Sequence, residues 1–512
     1  MISPRSCFSA RRSSKSLTKA RCARVEQPKA DPGEAGAASH PAPSYSRSQS
    51  HRTPAFAGGT KALRGSRKRR TPCILLAGAL ALAGNACADD APSSAPLFVP
   101  QWLGAQYTFV DQHQGRVHSP YSGPLSLRPQ GDTRRSDTFG AYFGVALPWH
   151  LAFYFDVEMF RGGGVSGATG LGGLTNGDVI RAGVAGLSNH AYVARRYLQW
   201  SLPLGGESEP VERSQDHLPS TQTTQRLVAK LGKMAVNDDF DTNRYANGTR
   251  TQFMNWDLFN ATPWDFAADT RGYTEGLMLA WVNPAWTLRY GVYRMPYQAN
   301  GPRLESDLSH ARGEQLQLSL HPQPGGWVLR LLAFRNIARM GSYSEAIAQA
   351  IATGEVPDVQ ATDAPGRHKF GFVANGELPL ADGGETGLFM RAGWNDGHTE
   401  SFVFTEVDRT VNGGFQLSGV HWGRGDDHIG IGFALNALSP LHREYLEMGG
   451  SGFVLGDGAL NYAHEEITEL YYSYVPFAHL TLSPDFQWIR NPGYNRDRGP
   501  AAFAGVRAHV EF

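Results

Sequence analysis

Beyond residue 89 the chain is organised in segments of about ten residues in which apolar and polar side chains alternate with a period of two. At the C-terminus Val506, Ala508, Val510 and Phe512 alternate with Arg507, His509 and Glu511. Just upstream, Leu480, Leu482, Phe486 and Trp488 alternate with Thr481, Ser483, Asp485 and Gln487. Leu470, Tyr472 and Tyr474 are set against Glu469 and Ser473, and Trp286, Leu288, Tyr290 and Val292 against Thr287, Arg289 and Gly291. Further copies run through residues 151–159, 316–320, 327–333, 388–394 and 429–435. A period of two is that of a strand with two unlike faces, and a helical period fits none of these segments.

Turn signals sharpen the expectation. Short Pro/Gly turns are expected at Pro148, Asn283-Pro284, 322–326, 382–384 and Pro476, and long polar loops lie between them. Such asymmetry is that of an outer-membrane barrel, with short turns on one side and long loops on the other. Trp149, Trp286 and Trp327 sit at or just after such turns, where an interfacial aromatic girdle belongs. Units of roughly 25 residues over the 424 residues from Asp89 to Phe512 predict a closed all-β, transmembrane antiparallel β-barrel of about 16 strands, its long external loops partly folded inward. The terminal Phe512, with apolar residues at every second position before it, resembles the signal read by the outer-membrane assembly machinery.

The N-terminus supplies the compartment. Arg67-Lys68-Arg69-Arg70, an apolar stretch to Ala83 and small residues at Ala86-Cys87-Ala88 make a Sec-type signal peptide over 63–88, too short to span a bilayer. Residues 1–62 are rich in Ser, Arg, Pro and Ala and read as a disordered extension or as sequence upstream of a true start near Leu63; 89–512 is the barrel domain. The residues before Cys87 make a poor lipobox. All four cysteines precede residue 89, which leaves no thiol or disulfide chemistry beyond it. Of 48 Lys/Arg and 47 Asp/Glu, 16 and 3 also precede residue 89, leaving 32 and 44 and a net charge of about −12 in place of the whole chain's +1. That balance argues against a nucleic-acid partner and favours cations in any channel.

Catalytic signatures are missing. The Gly-rich stretch Arg161–Asp178 has no phosphate-loop pattern and reads as a flexible external loop. Neither Ser166 nor Ser451 lies in a nucleophile elbow, and no H-E-x-x-H or Cys/His cluster occurs. No enzymatic activity and no cofactor is expected. The densest oxygen cluster, Asn237 to Asn243, reads D-x-D-x-N from Asp239, but Arg244 stands where a calcium loop needs Gly. Asp238, Asp239 and Asp241 are therefore read as a solvated loop or, alternatively, as a cation-attracting rim able to recruit Mn²⁺. Residues 342–353 read as a short helix capping a loop.

Alternation also sorts side chains by face. Asp156, Glu158, Arg289, Arg330, Arg391, Glu469 and Arg507 are the inward, pore-lining candidates, with acids and arginines opposed across a lumen to sieve solutes. Tyr154, Tyr293 and Phe389 are inward aromatics that could face sugar rings or simply pack.

The stretch Gly232-Lys233 through Asp239-Phe240-Asp241-Thr242-Asn243-Arg244-Tyr245-Ala246, Phe253-Met254-Asn255-Trp256, Trp264-Asp265-Phe266-Ala267-Ala268-Asp269 and Gly272-Tyr273-Thr274 resembles the carbohydrate-selective porins of the OprB family. His118 to Pro124, Trp422-Gly423-Arg424 with Asp426-Asp427, and Asn491 to Pro500 support it. The resemblance implies a 16-stranded barrel narrowed by inward loops and passive uptake of glucose-like sugars. It makes Asp238, Asp239, Asp241, Asn255, Trp256, Trp264, Asp265 and Asp269 the constriction or loop candidates. Arg391 to Gly397 and Phe404 to Arg409 also resemble a branch described as manganese-selective porins. The expected partners are small hydrophilic solutes (sugars or Mn²⁺), outer-membrane lipid, the assembly machinery and further copies in a homotrimer.

Overall fold

The computed structural model describes residues 95–179, 187 and 189–512. The leader, the signal segment, the cysteines and the domain start at residue 89 lie outside the described residues. The strands are β1 (Pro100–Gln114), β2 (Asp132–Leu147), β3 (Leu151–Gly162), β4 (Tyr192–Val211), β5 (Ser220–Met234), β6 (Thr274–Val282), β7 (Trp286–Arg294) and β8 (Arg312–Leu320). They continue as β9 (Val328–Met340), β10 (Ala364–Ala381), β11 (Thr386–Asn395), β12 (Arg409–Ser418), β13 (His428–Ala437), β14 (Glu465–Phe477), β15 (Leu480–Arg490) and β16 (Ala501–Glu511). Each pairs antiparallel with its neighbours in sequence, and β1 closes on β16, giving the expected 16-strand barrel. Phe512 completes the seam: its N–H donates to Ala105 O and its carbonyl accepts from Ala105 N.

The period-two pattern becomes two environments. Outward side chains such as Leu231, Phe372, Met390, Phe433 and Val506 are more than half exposed, whereas the intervening Gln317, Lys369, Glu469 and Arg507 are fully buried. A continuous apolar exterior of this kind would cost about 25 cal/mol per Å² in water and is stable only against lipid. Closing the sheet also leaves no unpaired edge to face hydrocarbon.

Short connections at 148–150, 212–219, 283–285, 321–327, 382–385, 419–427 and 478–479 alternate with longer ones. Pro476 lies within β14, so the last short turn is Ala478-His479, not Pro476. Trp149 and Trp327 stand exposed at the short-turn rim, where the Trp200 indole donates to Trp149 O. Three short helices sit in the long loops: α1 (Trp256–Phe259), α2 (Tyr343–Thr353) and α3 (Pro440–Glu447). The second is the helix expected at 342–353, with Ser342 accepting from Glu345 N as its N-cap.

Candidate functional site

The longest connection, residues 235–273 between β5 and β6, folds into the barrel and is held there strand by strand. Asp241 N donates to Gln317 on β8, and its carboxylate accepts from Asn375 on β10 and pairs with Arg391 on β11 at 3.1 Å. Asp265 pairs with Lys369 on β10 at 3.1 Å, and its carbonyl accepts from Asn336 on β9. Asn412 on β12 donates to Asp257 O, and Asn436 on β13 to its carboxylate at 2.7 Å. Glu469 on β14 accepts from Met254 N and Asn255 N, and the Asn255 amide donates to Gln487 on β15. On β16 Arg507 donates to Thr249 O and Gln252 O. Loop carbonyls and amides that would otherwise be buried without partners are satisfied by the inward polar residues of β8 to β16.

This assigns the inward candidates to two groups. Arg391, Glu469 and Arg507 do point inward, but they are fully buried beneath the loop and fasten it, so they do not front open water as expected. Arg330 is turned to Glu377 at 3.1 Å, and Arg289 lies near Ser319. Glu158 lines the cavity between β2 to β4 and the loops, and Asp156, itself buried, pairs with Arg195 at 3.5 Å. Tyr154, Tyr293 and Phe389 face inward and are buried.

The Gly-rich stretch is likewise not a free external loop. Gln112 and Gln487 donate to Thr175 O, Glu406 N donates to Gly172 O, and the stretch is buried from Gly170 to Asn176. Any side chain at Gly172 or Gly173 would collide with Tyr494 or Asp257, so glycine is what lets this backbone pack there.

Between the 235–273 loop and the barrel wall lies a cavity of about 270 Å³ whose lining includes Thr138, Glu158, Tyr192 and Arg195 from β2 to β4. Loop residues Asp178, Asp238, Arg250, Trp256, Phe266, Tyr273 and Phe404 complete it. Arg195 grips Asp238 through two bonds, Nε–Oδ2 at 2.6 Å and Nη2–Oδ1 at 2.7 Å, and reaches Asp156 at 3.5 Å. Arg250 pairs with Asp178 at 3.0 Å and Glu158 at 3.3 Å. Both Tyr192 and Tyr273 donate hydroxyl hydrogens to Glu158, and Arg271 stacks over the Tyr192 ring at 4.7 Å. Burial pushes the Asp238 carboxyl up, but the Arg195 guanidinium outweighs it and holds the group below the usual carboxylate range. The lining also holds an aromatic cluster. Trp256 stacks on Phe404 at 4.8 Å, and Phe266 stands 5.3 Å from Phe404. Asp265 fixes that cluster by accepting from Phe402 N and Val403 N, which places Phe404 with a positive φ of 61°.

The predicted loop residues therefore divide. Asp238 and Trp256 line the cavity; Asn255, Trp264, Asp265 and Asp269 are buried supports, Asp269 accepting from Arg271 N and Tyr273 N. Asp238, Asp239 and Asp241 do not converge: Arg195, Lys230 and Arg391 each take one. Among the described residues no group of three or more His, Cys, Asp or Glu side chains is placed to hold a metal ion. Sequence reasoning missed Arg195, Arg250, Asp178 and Phe404. Their nearest signal was the Gly-Tyr-Thr motif, whose Tyr273 shares Glu158 with Arg250.

A protein-family model described as carbohydrate-selective porin, OprB family, matches residues 151–512. No curated protein matches the chain. Among solved structures, the high-pH structure of Pseudomonas putida OprB is similar with a TM-score of 0.59 and 16% identity, covering 81% of this chain and 94% of that one. The outer membrane channel DcaP of Acinetobacter baumannii gives a TM-score of 0.46 at 9% identity, covering 82% and 100%. The first of these is a likeness of fold.

Proposed function

Because the chain belongs to the OprB family of carbohydrate-selective porins, it is a channel of the Gram-negative outer membrane and not an enzyme, and we propose that it passes small neutral carbohydrates of about monosaccharide size. The observation that carries this reading is the amphipathic constriction. The same cavity is lined by a cluster of Trp256, Phe266 and Phe404 and by hydroxyl-binding groups on Glu158, Arg195, Arg250, Tyr192 and Tyr273. A sugar ring has an apolar C–H face and a hydroxyl rim, and this pairing suits both. Its charges are compensated among themselves, so a bare ion gains little there while losing its hydration shell. The cavity is smaller than the roughly 300–1,000 Å³ that takes drug-sized ligands, which favours single rings over oligomers. Conduction needs contacts loose enough for release, so affinity is low. The outward apolar band supports outer-membrane lipid as the surrounding partner.

Planar-bilayer recording of the purified channel tests the reading, with glucose and MnCl₂ titrated separately. Block of an open channel by millimolar glucose, without an effect of manganese, supports it. Interaction with manganese alone overturns it in favour of a divalent-cation pore.

A further inference from the structure

Two strands outrun the barrel. The short-turn rim is marked by Leu151 opposite Trp200 and by Arg226 opposite Val282. Past Trp200, β4 continues for eleven residues; Ser201 N still donates to His150 O, and from there the strand pairs with β5 alone, as a two-stranded ribbon reaching Val211 opposite Ser220. Pro203 to Pro210 are all exposed, so neither face of this ribbon is covered. A free ribbon of that length would project straight away from the membrane. Instead its register slips on both sides of Gly205, where Gly205 and Gly206 take φ of 135° and 84°. Such paired irregularities bend a ribbon, and positive φ is open to glycine without strain.

The bend returns the tip to the lumen. Leu218 is only 4% exposed; its N–H donates to the Tyr154 hydroxyl at 3.3 Å. Its side chain fills the space left by Gly144, where an added methyl would stand 2.9 Å from it, beside Leu103. Gln215 lies against Gly104, beside the Phe512 carbonyl and close to Glu511. Asp216 comes within electrostatic range of Arg195 and Lys230. Residues on β1, β2, β3 and β16 thus hold the tip inside the short-turn end of the barrel, on the side where β2 to β4 line the cavity.

We propose that the β4–β5 hairpin tip is a second, exit-side constriction of the channel, with Leu218 as its wedge and the Gly205-Gly206 bend as its hinge. A solute leaving the upper cavity meets Leu218 next, and its size is sieved again. The inference rests on the channel reading but not on which solute passes.

A double variant, Gln215→Cys with Glu511→Cys in a background whose four native cysteines are serine, tests it in bilayers and in liposome swelling. Oxidation should cross-link the tip to the wall and slow disaccharide entry about twofold or more relative to monosaccharide, and reduction should restore it. A second variant, with residues 204–222 replaced by a two-residue Asn-Gly turn, should raise KCl conductance and admit disaccharides. Failure of the disulfide to form in the folded barrel places the tip elsewhere and overturns the proposal. Unchanged conductance and size preference in the locked channel overturns it too, whether or not the truncated one folds. If sugar selectivity itself is mistaken, glucose will not block any variant, while KCl conductance still responds to the hinge.

Discussion

Arg195 on β4 and Asp238 at the start of the lumenal loop form a two-bonded pair, 2.6 and 2.7 Å, at the border of the open cavity. The pair joins the wall that stays fixed to the loop that narrows it. Each charge cancels the other's field on a passing solute, so removing one exposes its partner.

Asp238→Asn therefore leaves Arg195 with the more distant Asp156, at 3.5 Å, and the longer-range field of Asp216. Reversal potentials in a salt gradient should move toward anion selectivity. Arg195→Ala should move them toward cations. Both shifts in one direction, or none, would show that the pair does not set the field of the constriction.

The Arg391–Asp241 pair is fully buried and serves a different end. Arg391 also donates to Leu258 O and Ala246 O, so Arg391→Ala removes the countercharge of a buried carboxylate, leaving it only the Asn375 and Ala261 donors, and takes a donor from two carbonyls. Breaking a buried pair on one side costs about 3–5 kcal/mol. The expected result is a lower unfolding temperature and a noisier, larger conductance as the loop loosens. An equally stable variant with parental conductance would mean that the loop stays put without this anchor.

How much of this the sequence discloses depends on distance along the chain. Orientation is local: the period of two places Arg507, Glu469 and Arg391 inward from a few neighbours each. Dryness is not, because the loop atoms that cover Arg507 are those of Thr249 and Gln252, more than 250 residues away. Arg195 stands beside Arg196, which is more than half exposed and faces Glu275, and the register slip at Asp156/Val157 obscures which arginine points in. Pro203-Leu204-Gly205-Gly206 contains no β-branched or aromatic residue, yet cross-strand pairing carries β4 through it. The Gly-rich stretch looks flexible in one dimension and proves close-packed in three.

Trp256 carries the aromatic side of the constriction through its stack on Phe404. Aromatic contacts of this kind are worth about 0.5–1.5 kcal/mol beyond area burial, so Trp256→Ala should weaken glucose block by about two- to tenfold. KCl conductance should rise as the opening widens. Loss of glucose block without greater conductance would instead mean that the loop has collapsed into the space.

The external cap makes a pH prediction. His442 on α3 is fully buried, donating Nδ1–H to Asp408 at 3.0 Å with Glu406 3.7 Å from Nε2, and it stacks on Tyr343 of the neighbouring loop at 4.5 Å. Burial opposes its protonation, but Asp408 and Glu406 outweigh that and push it up to about 9 from an ordinary 6.5. A raised folded-state value stabilises the protonated form: its contribution is complete below about 6.5 and is lost as pH rises through about 9. Asp408, held below its usual range by the same imidazolium despite its burial, stays ionised throughout that interval. The three loops carrying Tyr343, Asp408 and His442 should loosen together between pH 7 and 10, read as a fall in amide-exchange protection factors at 396–408, after correction for the base catalysis of exchange itself. Because Asp408 and Glu406 also fix the segment that carries Phe404, glucose block should weaken over the same interval. In His442→Gln, neutral at every pH, both profiles should be flat; a transition that persists in that variant would assign the titration to another group.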